Sequence, residues 1–227
     1  MNHLSPNAQY NLARSSSLPV RIAARARRRM YEQFLRRAIP LEMDTILDVG
    51  VTSDESYEAS NYLELWYPHK NRITAVGLDE DSTLPVRFPG LKYQRADGCD
   101  LPFPDGSFDI VHSSAVIEHV GNDLKQQQFL TELVRVARRA VFVTTPNRWF
   151  PVEFHSLLPV LHWLPPDAFR SMLRGTRYDF FSHVENLNLL DRAKLRDCCA
   201  SFTQNMVVIE SIKLLGWPSN LLLTICK

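Results

Sequence analysis

The sequence predicts an α/β protein with one doubly wound, mostly parallel sheet that helices cover on both faces. From residue 45 onward, short runs rich in Val, Ile, Thr and Phe alternate with helical stretches, an order typical of a parallel sheet. Two further apolar runs close the chain a few residues apart and predict an antiparallel hairpin. With 227 residues, 45% of them hydrophobic, the chain is long enough to bury one such core.

Residues 1–40 are expected to form a polar leader followed by a basic helix, and residues 41–227 a single domain. Apolar residues recur at every fourth position from Ile22 to Ala38, which aligns them on one helix face. Seven arginines between Arg21 and Arg37 lie mostly on the other faces. They predict either the solvated side of a docking helix or an arm that contacts nucleic acid or anionic lipid. The net charge of +1 favours the docking helix.

The elements of the domain follow in chain order. Apolar, β-branched runs predict the first five strands at residues 45–49, 73–78, 91–95, 108–114 and 140–145. Helical spacing predicts helices at residues 57–67, 124–138 and 191–202. Aromatic residues and prolines predict an irregular cap after the fifth strand, at about residues 147–190. The final hairpin is expected to pair residues 207–215 with 221–227 across a connection at 216–220.

The composition narrows the class of protein. Only 8 residues are glycine, about half the usual share, which argues against a glycine-rich phosphate loop. Four cysteines without a C-x-x-C pair indicate reduced thiols in a cytoplasmic protein. No signal peptide is visible, and the longest apolar run, residues 157–164, is far shorter than the ~18 residues of a spanning helix. No metal-ligand spacing is present, so no metal site is expected.

Acidic residues lie at the ends of three predicted strands, where a doubly wound sheet binds its ligands. Asp79 follows the second strand about thirty residues after Asp48, a position that suits the two hydroxyls of a ribose. The loop after Gly50 has Thr52 and Asp54 where a diphosphate site needs further glycines. A cationic nucleoside without phosphate, such as S-adenosylmethionine, therefore fits this loop better than a dinucleotide.

Four sequence blocks carry a resemblance to a known family: ILDVG, LDED, ADGCDLPFPDGSFDIVHSSAVIEHV and TTPNRW. Together they resemble the class I S-adenosylmethionine-dependent methyltransferases, in particular the branch that acts on small molecules. The resemblance covers about residues 45–147 and the terminal hairpin. It implies a seven-stranded Rossmann-like sheet whose last strand is antiparallel. The chain departs from the family in its first motif, which keeps only the first of the usual glycines.

The resemblance also implies which residues bind the cofactor. They are Asp48 and Gly50 at the methionine moiety, Thr52 in the same loop, Asp79 at the ribose hydroxyls, Asp97 and Gly98 at the adenine, and Ser113 and Ser114 below the sulfonium.

Methyl transfer to oxygen needs alignment of the acceptor and a base, most often a histidine. His119 is a candidate because it follows the fourth strand, and His155 because aromatic residues surround it in the cap; either could also be a structural histidine. Asn147, Trp149 and Tyr178 are expected to contact the substrate through polar and stacking interactions. The cap aromatics could equally form a small second core or an oligomer interface.

The sequence therefore predicts a methyltransferase that uses S-adenosylmethionine on a small-molecule acceptor, with the oxygen of a sugar or secondary metabolite favoured. One alternative is a cyclase that consumes the same cofactor and releases methylthioadenosine. Another is a non-catalytic partner subunit with a degenerate cofactor site and the basic helix as its contact surface. No nucleic-acid partner is expected, whereas a homodimer and a membrane-surface contact through residues 157–164 stay open.

Overall fold

The computed structural model describes residues 18–54, 59–80 and 82–227, with side chains from residue 22 onward. Its strands are β1 (Ile46–Val49), β2 (Ile73–Gly77), β3 (Lys92–Arg95), β4 (Phe108–Ser114), β5 (Ala137–Pro146), β6 (Met206–Leu214) and β7 (Trp217–Cys226). Its α-helices are α1 (Leu18–Ala38), α2 (Tyr62–Trp66), α3 (Leu84–Arg87), α4 (Asp123–Val136), α5 (Pro166–Leu173) and α6 (Arg192–Cys198). The predicted leader and the start of the predicted helix at residues 57–67 lie outside the described residues.

The strands form one seven-stranded sheet in the order β3-β2-β1-β4-β5-β7-β6. The first five strands pair in parallel, while β7 pairs antiparallel with both β5 and β6. The chain reverses its direction of winding between β1 and β4, which places a topological switch point there. The predicted doubly wound sheet with an antiparallel last strand is confirmed.

Helix α4 shows how local sequence fixes an element. The Asn122 side chain accepts a hydrogen bond from the Lys125 backbone N–H, which satisfies one of the unpaired donors at the helix start. Of the predicted apolar stripe, Phe129, Leu130, Leu133 and Ala137 are buried, and Val134 is partly buried against the same core. The helix ends at Val136, two residues earlier than predicted, because the chain passes directly into β5.

The terminal hairpin is tighter than predicted. The structure joins β6 to β7 through Leu215 and Gly216 alone, so the expected connection at residues 216–220 is wrong and most of it belongs to β7. Both turn residues have positive φ, 51° and 82°, as a two-residue hairpin with the twist of its strands requires. Gly216 meets this requirement without strain, whereas Leu215 does not.

Helix α1 packs along the sheet instead of standing apart from it. Ala26, Met30, Phe34 and Ala38 are buried in the same core cluster as residues of β1, β2 and β5. Several arginines on its remaining surface have structural partners: Arg29 donates to the Lys213 carbonyl at 3.0 Å, and Arg37 pairs with Glu210. The fold itself therefore uses part of the basic surface that the sequence left open to a polyanionic partner.

The cap after β5 has a small apolar cluster of its own. Phe169 and Leu173 of α5 pack there against Phe181 and Leu187. Within the portion of the chain that the structure describes, no helix is both long and apolar enough to cross a membrane. All four cysteines carry thiols that form no disulfide.

Candidate active site

A cavity of about 500 Å³ lies at the carboxyl ends of the central parallel strands. Loops after β1, β2, β3 and β4 form its floor and sides, as expected at the switch point of a doubly wound sheet. Helix α1 adds a wall that includes Arg27 and Met30, and the cap adds Phe154 and Leu157. The cavity thus runs from the loop after β1 to the cap.

Two glycines allow the loops at one end of the cavity to approach closely. Gly50 has a φ of 95°, and a Cβ on it would lie 2.1 Å from Cγ2 of Val116, in the loop after β4. A Cβ on Gly98 would lie 2.5 Å from the Phe129 ring. Any larger residue would push these loops apart, so the backbone there forms a cradle that only glycine permits.

Asp79 directly follows Gly77 and Leu78, which line the cavity. Asp79 is 5% exposed, and its Oδ2 accepts a hydrogen bond from the Ser53 backbone N–H at 2.6 Å. Oδ1 is buried and has no hydrogen-bond partner among the described residues. A buried carboxylate oxygen without a donor carries a desolvation cost, which a ligand hydroxyl would relieve.

The other predicted cofactor residues divide into two groups. Thr52, Asp97 and Ser114 line the cavity together with Gly50 and Gly98. Oδ1 of Asp97 accepts a hydrogen bond from the Cys99 backbone N–H at 2.8 Å. The hydroxyl groups of Ser114 and Thr144 form a hydrogen bond of 2.8 Å. Ser113 does not line it, because its hydroxyl donates to the Val49 carbonyl at 2.8 Å. Its position below a sulfonium stays a prediction.

Asp48 belongs to a buried polar chain behind the cavity. Its carboxylate accepts from Nδ1 of His112 at 2.7 Å, and Nε2 of His112 accepts from the Tyr62 hydroxyl at 2.8 Å. Burial raises the pKa of Asp48 to about 7 and lowers that of His112 to about 4, so the imidazole is neutral. The contact of Asp48 with a methionine moiety stays a prediction, since the structure turns its side chain toward His112.

His119 and His155 meet at the cap end of the cavity, which both line. Their rings are perpendicular, with centroids 4.6 Å apart. Nδ1–H of His119 donates to the Asn186 carbonyl at 2.7 Å, and Nδ1–H of His155 donates to Oε1 of Glu153 at 2.7 Å. These bonds fix both ring orientations and make Nδ1 a protonated nitrogen in each ring.

Two buried carboxylates flank the histidine pair. Glu118 is fully buried; Oε2 accepts from the Thr145 hydroxyl at 2.8 Å, and Oε1 lies 3.9 Å from Nε2 of His119. Glu153 is 3% exposed and also accepts from the Ser156 backbone N–H at 2.6 Å. The sequence interpretation missed both acids, although each lies within two residues of a candidate histidine.

Burial and charge shift the pKa values of this cluster in opposite directions. Burial raises the pKa of Glu118 to about 7, and burial with the neighbouring charge of His155 lowers the pKa of His119 to about 3. Burial also opposes charge on Glu153, but the contacts with His155 outweigh it and hold the Glu153 pKa at about 2. The same pairing raises the pKa of His155 despite its burial. Perturbed groups in a cavity are typical of a functional site.

The three predicted substrate residues lie away from this cavity. The Asn147 side chain donates to the Pro218 carbonyl at 2.9 Å, and Nε1 of Trp149 donates to Asp191 at 3.2 Å. Tyr178 bonds Arg177 at the surface of the cap. The structure does not bring them together with the histidines, so their contact with a substrate stays a prediction.

Comparison with known proteins gives the site a context. A sequence model described as a methyltransferase domain matches residues 48–143. A probable S-adenosylmethionine-dependent methyltransferase of Mycobacterium tuberculosis is 37% identical over 81 residues, 34% of this chain and 28% of that protein. A probable chloroplastic tocopherol O-methyltransferase of Oryza sativa is 30% identical over 151 residues, 60% of this chain and 40% of that protein. The chain thus matches well under half the length of these relatives.

Solved structures agree on the fold. Magnesium protoporphyrin IX methyltransferase of Synechocystis, solved with bound SAH, has a TM-score of 0.61 at 12% identity, over 97% of this chain and 92% of that one. An S-adenosylmethionine-dependent methyltransferase of Aquifex aeolicus has a TM-score of 0.57 at 14% identity, over 93% and 99%.

Sheet order, motifs and these matches define a Rossmann-like methyltransferase domain. Residues 48–143 match the methyltransferase domain model, and the chain is similar to S-adenosylmethionine-dependent methyltransferases over part of its length.

Proposed function

We propose that this protein transfers a methyl group from S-adenosylmethionine to an oxygen atom of a small molecule held at the cap end of the cavity. The observation that carries the proposal is the continuity of one cavity from the glycine cradle to the histidine pair. Donor and acceptor would lie in the same enclosed space, and in-line methyl transfer needs little else from the protein.

The residues at the cradle end fit the cofactor. Oδ1 of Asp79, buried without a donor among the residues that the structure describes, would accept from a ribose hydroxyl. Gly50 and Gly98 would let the backbone approach the nucleoside closely. When bound, the cofactor supplies an activated methyl group on a sulfonium, and nothing at this end needs to hold a phosphate.

The residues at the other end fit a hydroxyl acceptor. His119 and His155 would orient the acceptor oxygen and take up its proton, and the bonds to Asn186 and Glu153 hold the imidazoles in place. Phe154 and Leu157 give this end an apolar wall. The wall favours a secondary metabolite with an apolar ring over a free sugar, and the similarity to the probable tocopherol O-methyltransferase of rice supports such an acceptor.

Binding and product analysis together test this function. We expect calorimetry to show S-adenosylmethionine and S-adenosylhomocysteine binding at one site, and a panel of hydroxylated ring compounds to yield S-adenosylhomocysteine as the co-product. The absence of heat with millimolar ligand would exclude the proposal. Methylthioadenosine formed without any acceptor would instead establish cyclisation of the cofactor.

Substitution of the histidine pair tests the acceptor end by itself. We expect His119→Gln and His155→Gln to lower kcat by about 10²–10⁴-fold, the usual contribution of general-base catalysis. Affinity for S-adenosylmethionine should hold in both, because the cofactor contacts lie at the other end of the cavity. His183→Gln removes a histidine that is 60% exposed on the cap surface and serves as the control. An unchanged kcat in both variants would contradict the assignment.

A further inference from the structure

His119, His155 and Glu118 form a cluster in which three side chains, and not only the two histidines, could share one ligand. Glu118, His119 and His155 each offer one ligand atom, and these atoms all lie within 4.8 Å of one another. Zinc bonds of 2.0–2.2 Å hold two ligands at most about 4.4 Å apart, so the set would need to contract by only about half an ångström. The 3.9 Å between Oε1 of Glu118 and Nε2 of His119 already lies within that span.

The carboxylate supplies an independent sign of a missing partner. Oε1 of Glu118 is buried and accepts no hydrogen bond from the described part of the chain, while Oε2 is satisfied by Thr145. A fully buried carboxylate oxygen in this state needs a proton, a donor or a cation. One nitrogen atom of each neighbouring imidazole lies within 4.8 Å of a carboxylate oxygen of Glu118, which is within reach of a shared cation.

The outer contacts of the imidazoles are those of metal-ligating histidines. His155 donates Nδ1–H to the Glu153 carboxylate and His119 donates Nδ1–H to a backbone carbonyl, the two partners that most often orient a histidine on a metal. Two imidazoles with one carboxylate suit a zinc-like transition ion, whereas magnesium prefers oxygen ligands alone. Three protein ligands would also leave a coordination position open toward the cavity.

We propose that Glu118, His119 and His155 bind a divalent transition ion, with zinc as the best fit, at the cap end of the cavity. The ion would occupy the lone pairs with which the two imidazoles take up the acceptor proton. Zinc binding and proton uptake are therefore mutually exclusive states of the same side chains, and zinc is expected to compete with methyl transfer. The binding step itself does not depend on the proposed function.

Titration of the full, untagged chain with Zn²⁺ tests the site without S-adenosylmethionine or any acceptor. We expect one equivalent to bind, and Glu118→Gln and His119→Gln each to lower the affinity by at least about tenfold. Glu153→Gln keeps all three proposed ligands and changes a carboxylate that contacts His155 and Ser156, so it should weaken binding less than loss of a ligand does. The matched control His183→Gln should bind Zn²⁺ like the unsubstituted protein, and Mg²⁺ should give no comparable heat.

Each result decides the proposal. No stoichiometric Zn²⁺ binding, equal affinity in Glu118→Gln, or an equal loss in His183→Gln would overturn it. Circular dichroism and S-adenosylhomocysteine affinity, measured on the same samples, show that each variant is folded and that its cofactor end is intact. Failure of cofactor binding with retained zinc binding would count against the methyltransferase proposal and leave the metal site standing.

Discussion

Asp79 is the residue whose environment argues most directly for a bound nucleoside. One carboxylate oxygen holds the loop after β1 through Ser53, and the other is buried without a donor in the described structure. Under the proposed function, Asp79 would link the loop after β1 to a hydroxyl of the bound cofactor.

Removing the charge of Asp79 should weaken the binding of the cofactor while the loop after β1 stays folded. A hydrogen bond to a charged acceptor contributes about 1.5–3 kcal/mol, so we expect Asp79→Asn to raise the Kd of S-adenosylmethionine roughly 10–100-fold in calorimetry. Glu80→Gln removes the adjacent acid, whose side chain is 77% exposed, and should leave the Kd unchanged. Equal affinity in Asp79→Asn would mean that the ribose lies elsewhere.

A side chain at Gly50 should destabilise the protein in two separable ways, through the positive φ and through a clash with Val116. We expect Gly50→Ala to lower the free energy of unfolding by more than Gly106→Ala, since Gly106 also has positive φ but no atom near its Cβ position. The φ strain alone costs roughly 1–2 kcal/mol, and the clash with Val116 adds to it.

A double variant isolates that clash. Val116→Ala removes the Cγ2 atom that would lie 2.1 Å from the new Cβ at position 50. In the Val116→Ala background, Gly50→Ala should therefore lower the free energy of unfolding, measured in urea, by an amount closer to that of Gly106→Ala. Strictly additive losses would show that the approach of the two loops is not what requires glycine.

At the scale of elements, the hairpin between β6 and β7 carries a correctable strain. Leu215 is fully exposed and has a φ of 51°, a conformation that Asn tolerates much better than Leu. We expect Leu215→Asn to raise the melting temperature, with a gain of about 0.5–1 kcal/mol in the free energy of unfolding. Leu215→Val, which is β-branched, should lower it; the reverse order would contradict the turn geometry.

Helix α1 should be as important to stability as any central strand. Phe34 is fully buried in the cluster shared with the sheet, and we expect Phe34→Ala to lower the free energy of unfolding by about 3–5 kcal/mol in urea titration. Leu35→Ala, at a neighbouring position that is 37% exposed, should cost far less. Similar small losses in both would show that α1 is peripheral to the fold.

Across the whole molecule, the sequence predicts regular structure better than contacts in the cap. The spacing of apolar residues is enough to predict the doubly wound sheet, the apolar stripe of α4 and the antiparallel hairpin of β6 and β7, because each of these depends on local sequence. The same spacing placed Asp79 and Gly50 at the sheet edge where the structure has them.

Contacts made by irregular chain could not be predicted in this way. Glu118 meets His155 only because the cap folds back over the loop after β4, and no periodic pattern encodes that return. Asn147 and Trp149 are expected from their chemistry to contact the substrate, but the direction of their side chains depends on Pro218 and Asp191, which are distant in sequence.

Because α1 forms one wall of the cavity, the stability of this helix is thermodynamically linked to the binding of a ligand in the cavity. A ligand that contacts Arg27 and Met30 binds only while α1 is packed against the sheet. Ligand binding therefore suppresses local opening of α1. At a ligand concentration of about 100 times Kd, such linkage adds about 2.7 kcal/mol against opening, visible as slower amide exchange along the helix. Conversely, a substitution that displaces α1 would weaken the affinity for such a ligand even where the loops after β1 to β4 are unchanged.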